Sequence, residues 1–115
     1  MNYISIDKEI HRRLFQRIEY ETPFYSTNIA AAWKIIEKLT KMGYFINISS
    51  IWGHGYPFYA VEILWDKGKI SVTEETPALA VSIATVHLMR YLKFKWRESI
   101  GIYTYLDEKY LTLYP

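Results

Sequence analysis

Residues 77 to 92 constrain this chain more than any other stretch. Thr76-Pro77 opens a helix there: a hydroxyl cap is followed by proline in the first turn, where its missing N–H costs nothing. Ala78, Leu79, Ala80, Val81, Ile83, Ala84, Val86, Leu88 and Met89 then occupy more than one face. A helix that only lies on a sheet shows a single apolar stripe. This one needs cover on a second side, from the C-terminal segment or from a second copy of the chain.

Two helices are expected before it. Asp7 to about Tyr20 carries Ile10, Leu14 and Ile18 at helical spacing with Phe15 beside them, while His11, Arg12, Arg13 and Arg17 fall on the other side. That basic side reads as a solvated face, with phosphate contact as the minority alternative. Thr22-Pro23 ends the segment, because the residue before proline avoids helical dihedrals. Ser26 or Thr27 then caps a helix on which Ile29, Ala32, Trp33, Ile36 and Leu39 form the stripe, with Trp33 in the core. Gly43 supplies the left-handed residue that ends it.

Three strands follow. Tyr44 to Ile51 alternates, with Ile46 and Ile48 on one face and Phe45, Asn47 and Ser49 on the other. Phe58 to Trp65 brings Val61, Ile63 and Trp65 together, and Ile70 and Val72 lie in the third strand. A two-residue Lys67-Gly68 loop pairs Trp65 with Ile70, Ile63 with Val72 and Asp66 with Lys69. A three-residue loop would pair Ile63 with Ser71 and invert every side chain, so the first register is preferred. Beyond the apolar helix, Ile100 to Leu106 and Tyr110 to Tyr114 are candidate strands about a turn at Asp107-Glu108-Lys109. The expected fold is α+β: an antiparallel sheet of at least three strands with helices packed on it, in the order α-α-β-β-β-α, plus a C-terminal extension adding strand. One domain spans 1–115, with a core at 24–92 and the extension at 93–115.

Composition bounds the chemistry. Hydrophobic residues make up 50% of the chain, too many for disorder, and the 17% of aromatics can fill a core or make a contact surface. A net charge of +2 is too small to argue for nucleic-acid binding by charge alone. With no cysteine, disulfides and thiolate chemistry are excluded. No apolar run is long enough to span a bilayer and no signal peptide opens the chain, so a soluble protein of the cytosol, without membrane contact, is expected.

No motif marks an active site. His11, His54 and His87 do not stand at metal-ligand spacing, and no serine-nucleophile, phosphate-loop or dinucleotide-binding pattern occurs. No cofactor or metal is expected. His87, on the apolar helix, reads as a hydrogen-bonded core or interface residue. His54, between Gly53 and Gly55 with Trp52 and Tyr56 outside, sits in a connection able to approach an anion or a flat ring, or in an ordinary hairpin turn. Glu74 and Glu75 suit the start of the helix that follows them. A second candidate surface is the basic aromatic strip of Arg90, Lys93, Lys95 and Arg97 with Phe94 and Trp96. Lysine and arginine hold phosphate and aromatic faces stack on bases, although the same alternation describes a strand with one buried face. The candidate ligand-binding residues are therefore Trp52, His54, Tyr56, Arg90, Lys93, Lys95, Trp96 and Arg97.

The order Tyr25-Ser26-Thr27, Ala30-Ala31-Ala32-Trp33, Ile36-Glu37-Lys38, Gly43, strands, then Glu75-Thr76-Pro77-Ala78-Leu79-Ala80 resembles the phage ABA sandwich domain family over about Phe24 to Leu92. The N-terminal segment and the tail depart from that pattern, as do Asn28, where the family commonly has aspartate, and Pro77-Ala78-Leu79, where it has Ala-Pro-Leu. The resemblance implies a bacteriophage or prophage origin and action in the bacterial cytosol. It transfers no catalytic residue, since members are mostly of unknown function. Small phage proteins of this kind often oppose host defences, some by sequestering nucleotide signals, which is a warrant by association.

Three functions compete. The first is a non-catalytic binding protein, homo-oligomeric through the helix 77–92, that sequesters a small anionic or nucleotide ligand or blocks a host defence protein. The second is a small nucleotide hydrolase using His54 or His87 with a carboxylate. The third is a structural or nucleic-acid-binding phage component, which the modest charge disfavours.

Overall fold

A computed structural model describes residues 2–17, 22–53, 55–99 and 111–113, with the side chains of 94–99 and 111–113 outside the description. The first helix, α1 (Tyr3–Arg13), begins where the side chain of Asn2 accepts the Ser5 N–H at 2.8 Å. It starts four residues earlier than the Asp7 expected from the pattern and ends before Tyr20. Asp7 is no helix start: it faces inward beside Ile6 and Ile10 and is buried. Leu14 caps the end, and Gln16 takes a left-handed φ of 55°, which no helix continues.

Phe24 to Asn28 form a turn in which the Asn28 N–H donates to the Phe24 carbonyl at 2.9 Å. That turn delays α2 (Ile29–Lys41) until Asn28, whose side-chain oxygen accepts from the Ala30 and Ala31 N–H groups at 2.9 and 3.3 Å. Asn28 is thus the cap in place of Ser26 or Thr27, and it fills the role of the family's aspartate without the charge. Ala32, Ile35 and Leu39 are the buried stripe, while Ile29 is exposed and Trp33 is 53% exposed. Trp33 is not core. The periodicity admits both stripes, and close approach to another helix favours the small Ala32 over an indole. The helix closes with a Schellman turn, Tyr44 N–H to the Leu39 carbonyl at 3.0 Å and Gly43 N–H to that of Thr40 at 3.1 Å, with Gly43 at φ 97°.

The antiparallel strands β1 (Phe45–Gly53), β2 (Tyr56–Trp65) and β3 (Gly68–Glu74) form a meander, and β4 (Leu111–Leu113) adds to the far edge of β3, giving the order β1-β2-β3-β4. Ile63 faces Ile70 and Val61 faces Val72, so the hairpin loop is Asp66-Lys67 and Trp65 meets Gly68. The expected Lys67-Gly68 loop and the Asp66–Lys69 pairing are corrected by this register. A two-residue shift leaves every side chain on the same face, so the apolar pattern alone cannot separate the two registers. Lys69 Nζ instead reaches Glu62 Oε2 at 3.4 Å, across the open side of the sheet.

The next helix, α3 (Pro77–Ser99), runs seven residues beyond Leu92. Thr76 Oγ1 accepts the Leu79 N–H at 3.2 Å, as expected. Ala78, Leu79, Ala80, Val81, Ala84, Val86, Leu88 and Tyr91 are all buried, and the buried Thr85 hydroxyl donates to the Val81 carbonyl at 2.7 Å. On one side α3 packs against β2 and β3, on the other against α1 and α2, and α2 also reaches β1. The two N-terminal helices, which were not the expected source, therefore supply the second cover. The inner face of the sheet contributes Val61, Ile63, Ile70 and Val72. On the outer face Phe45, Asn47, Ser49 and Ile51 are exposed, and no described helix covers them.

Truncation should separate these two environments. Ile63→Ala is expected to lower unfolding free energy by about 2–5 kcal/mol through the cavity it leaves, whereas Trp33→Ala should stay within about 1 kcal/mol. Urea titration of both variants measures this, and equal losses would place Trp33 back in the core.

Candidate functional site

One face of α1 carries Ser5, Lys8, Glu9 and Arg12, spaced i, i+3, i+4 and i+7. It cannot face the core, because the Ile6, Ile10 and Leu14 stripe occupies the opposite side. Arg90 approaches from α3. The left-handed Gln16 turns the chain back so that the Arg17 N–H donates to the His11 carbonyl at 3.1 Å, and Thr22 follows. Ser5, Lys8, Glu9, His11, Arg12, Arg17, Thr22 and Arg90 line a cavity of about 460 Å³.

Its charge is strongly one-sided. Lys8, Arg12, Arg17 and Arg90 face a single carboxylate, Glu9, among these residues. Glu9 accepts from Arg90 Nη2 at 3.3 Å and Nε at 3.5 Å, and forms an ion pair with Arg13 Nη1 at 3.3 Å. With Arg90 nearly half exposed, this pairing adds little stability. Its effect is positional, since it pins a side chain of α3 against α1. Lys8 and Arg12 are exposed and make no ion pair with another described residue.

The cavity floor is held from inside. His11 is buried, its Nδ1 lies 2.9 Å from the Tyr25 hydroxyl, and Tyr25 stacks on Phe15 with centroids 5.4 Å apart. The expected solvated position of His11 is corrected: it flanks the Ile10 and Leu14 stripe, where Tyr25 packs against it. One turn earlier the Asp7 carboxylate accepts the Ser26 N–H at 2.8 Å. Burial pushes the Asp7 carboxyl above its ordinary range, against the opposing pull of hydrogen bonds from Ser26. Burial likewise raises Glu74, helped by the charge of Glu75. Two inward residues of α1, one turn apart, thus fasten the 25–26 turn to that helix.

Chemically the described lining offers four cationic side chains and the hydroxyls of Ser5 and Thr22. Glu9 is engaged by two guanidinium groups, those of Arg13 and Arg90. Among the described residues no three of His, Cys, Asp or Glu gather into a metal-binding group.

Of the described candidate ligand-binding residues only Arg90 lines the cavity, where it is joined by His11, Arg12 and Arg17 from the basic side for which phosphate contact was the minority alternative. Lys93 is exposed one turn further along α3. Trp52 and Tyr56 are exposed at the end of the β1–β2 hairpin and do not line it, and His54 lies outside the described residues. The side chains of Phe94, Lys95, Trp96 and Arg97 also lie outside, but their backbone is helical, so the alternation read as a strand is not one. The candidate strand 100–106 and the turn at 107–109 fall outside the description too. Ser5, Lys8, Glu9 and Thr22 were not legible as a site. The signal was present as the i, i+3, i+4, i+7 spacing of Ser5, Lys8, Glu9 and Arg12, hidden by a helix start placed at Asp7.

Compared with known proteins, this arrangement of two helices, three-stranded meander and long helix matches the phage ABA sandwich domain over residues 3–86, and the chain belongs to that family. The match begins with α1, so the N-terminal helix is part of the family pattern and no departure from it. The fold is similar to that of a phage protein from Bacillus cereus ATCC 14579, whose crystal structure superposes with a TM-score of 0.63 at 24% identity over 75% of this chain and 90% of that one. No curated protein matches the chain. Among the described residues no helix is long and apolar enough to cross a membrane.

The raised Asp7 predicts a pH dependence. The native state binds that proton more tightly than the unfolded chain, so the associated stability is full below the ordinary carboxyl value of 3.8 and is lost as pH rises through the raised one. Asp7→Asn keeps an oxygen for the Ser26 N–H and removes the titration. Urea unfolding between acid and neutral pH should show a shallower decline for the variant, while Asp7→Ala, lacking the acceptor, loses about 1–3 kcal/mol at all pH values. Identical pH slopes for the native chain and Asp7→Asn would contradict this.

Proposed function

We propose that this phage-family protein is a non-catalytic binding protein whose α1–α3 cavity takes a small phosphorylated ligand of the nucleotide class. The observation that carries this is the gathering of Lys8, Arg12, Arg17 and Arg90 around one cavity in which Glu9 is the single carboxylate among the described lining residues. A volume of about 460 Å³ lies within the range of small-molecule sites. The cations suit phosphate oxygens, Arg bidentately, and the Ser5 and Thr22 hydroxyls suit sugar hydroxyls. Among the described residues no aromatic ring other than the His11 imidazole lines the cavity, so their chemistry suits phosphate and ribose more than the base. In a phage, holding a host nucleotide signal without turning it over would lower its free concentration and so oppose a defence that depends on it.

Calorimetry against ADP-ribose derivatives, cyclic oligonucleotides and pyrophosphate tests the reading. At least one is expected to bind, with affinity falling as salt is raised, and to be recovered unchanged by chromatography, which separates binding from hydrolysis. Each charge-assisted contact contributes about 1.5–3 kcal/mol, or roughly 10–100-fold in affinity. Lys8→Glu with Arg12→Glu, both on exposed side chains, should therefore abolish binding while leaving the fold intact. No binding and no shift in melting temperature with any of these ligands would reject the proposal.

A further inference from the structure

The edge of the sheet at β1 is unusual for a chain that stays single. Phe45 to Gly53 contains no Lys, Arg, Asp, Glu or Pro, and it ends the strand order, so none of the described residues pairs with its outer side. Exposed edges are normally kept short, charged or broken by proline, since a row of open N–H and C=O groups templates another strand. Here nine residues form the edge, and four of them are exposed large apolar side chains: Phe45 (73%), Ile48, Ile51 and Trp52 (76%). The helix above it, α2, adds exposed Ile29 and Trp33. The opposite edge of the β1–β3 meander is taken by β4.

We infer that β1 pairs antiparallel with β1 of a second copy, about a two-fold axis through Ser49 normal to the sheet. Among antiparallel self-pairings this is the register that pairs every residue of the strand. It keeps faces in phase, as an isologous interface requires: Phe45 lies opposite the partner copy's Gly53, Ile46 opposite its Trp52, Asn47 opposite its Ile51, Ile48 opposite its Ser50, and Ser49 opposite itself. Each end sets an aromatic ring against a partner it can cover, Phe45 over a glycine and Trp52 over an isoleucine. No like charges meet, because the strand has none. The helices of both copies fall on one side, the two α2 helices among them, and the sheet becomes continuous through the dimer. Pairing through β1 closes at two, since the two-fold uses that edge of both copies. A foreign strand could use the same hydrogen bonds, but the face-matched fit of β1 to itself singles out a second copy.

The experiment is light scattering on the full chain after gel filtration, at micromolar concentrations. The native protein should run at twice the 13.7 kDa chain mass. Ser49→Glu and Ser49→Lys, each at an exposed position, should each halve that mass, because the two-fold sets the new charge against itself. Mixed one to one, the two variants should recover the dimer, because a carboxylate then meets an ammonium group across the axis where Ser49 met Ser49. A monomeric native protein overturns the inference, as do variants that remain dimeric. So does a mixture that stays monomeric while both variants keep the native circular dichroism spectrum and melting temperature.

Discussion

The structure depends on α3 being buried from two directions. A helix with Ala78, Leu79, Ala80, Val81, Ala84, Val86 and Leu88 all out of water cannot be finished by a sheet, whose inner face covers one side. The remaining side is closed by α1 and α2, and their own stripes, Ile6-Ile10-Leu14 and Ala32-Ile35-Leu39, are satisfied in the same contacts. The core is thus one continuous apolar body with α3 as its axis, and the sheet and the N-terminal helices are held in place by the same residues.

That arrangement creates the site. Because α1 must turn Ile6 and Ile10 toward α3, its Ser5-Lys8-Glu9-Arg12 face looks outward along the flank where Arg90 emerges. The Glu9–Arg90 pair holds the Arg90 side chain against α1 there. Asp7 and His11 occupy the boundary between the two faces of α1, and both tie the helix to the loop through Ser26 and Tyr25. Polar groups buried in this way must be hydrogen-bonded, and the loop supplies the partners. The loop in turn brings Thr22 to the cavity, so packing and site share one set of constraints.

The outer half of the molecule follows a different logic. Phe45 and Ile51 are exposed on the open face, away from the described helices, and Ile48 and Trp52 are exposed along the β1 edge on the helix side. The expectation of an oligomer through residues 77–92 loses its physical basis once α1 and α2 cover that helix. The apolar surface left over sits at β1 and α2, and there a partner has something to bury.

Much of the fold was legible in the sequence because it rests on local chemistry. The Thr76-Pro77 start, the left-handed Gly43, the alternation that put Val61, Ile63, Ile70 and Val72 on one face, and the element order depend on neighbours a few residues apart. Where two local solutions were equally good, only tertiary structure could choose. Ala32 rather than Trp33 faces inward because another helix packs there, and the hairpin takes Asp66-Lys67 as its loop because a shift of two residues leaves the apolar pattern unchanged. The site was hidden for the same reason. Its cations come from α1, from the connection after it and from α3, and charges separated by some eighty residues are neighbours only once the core has brought their helices together.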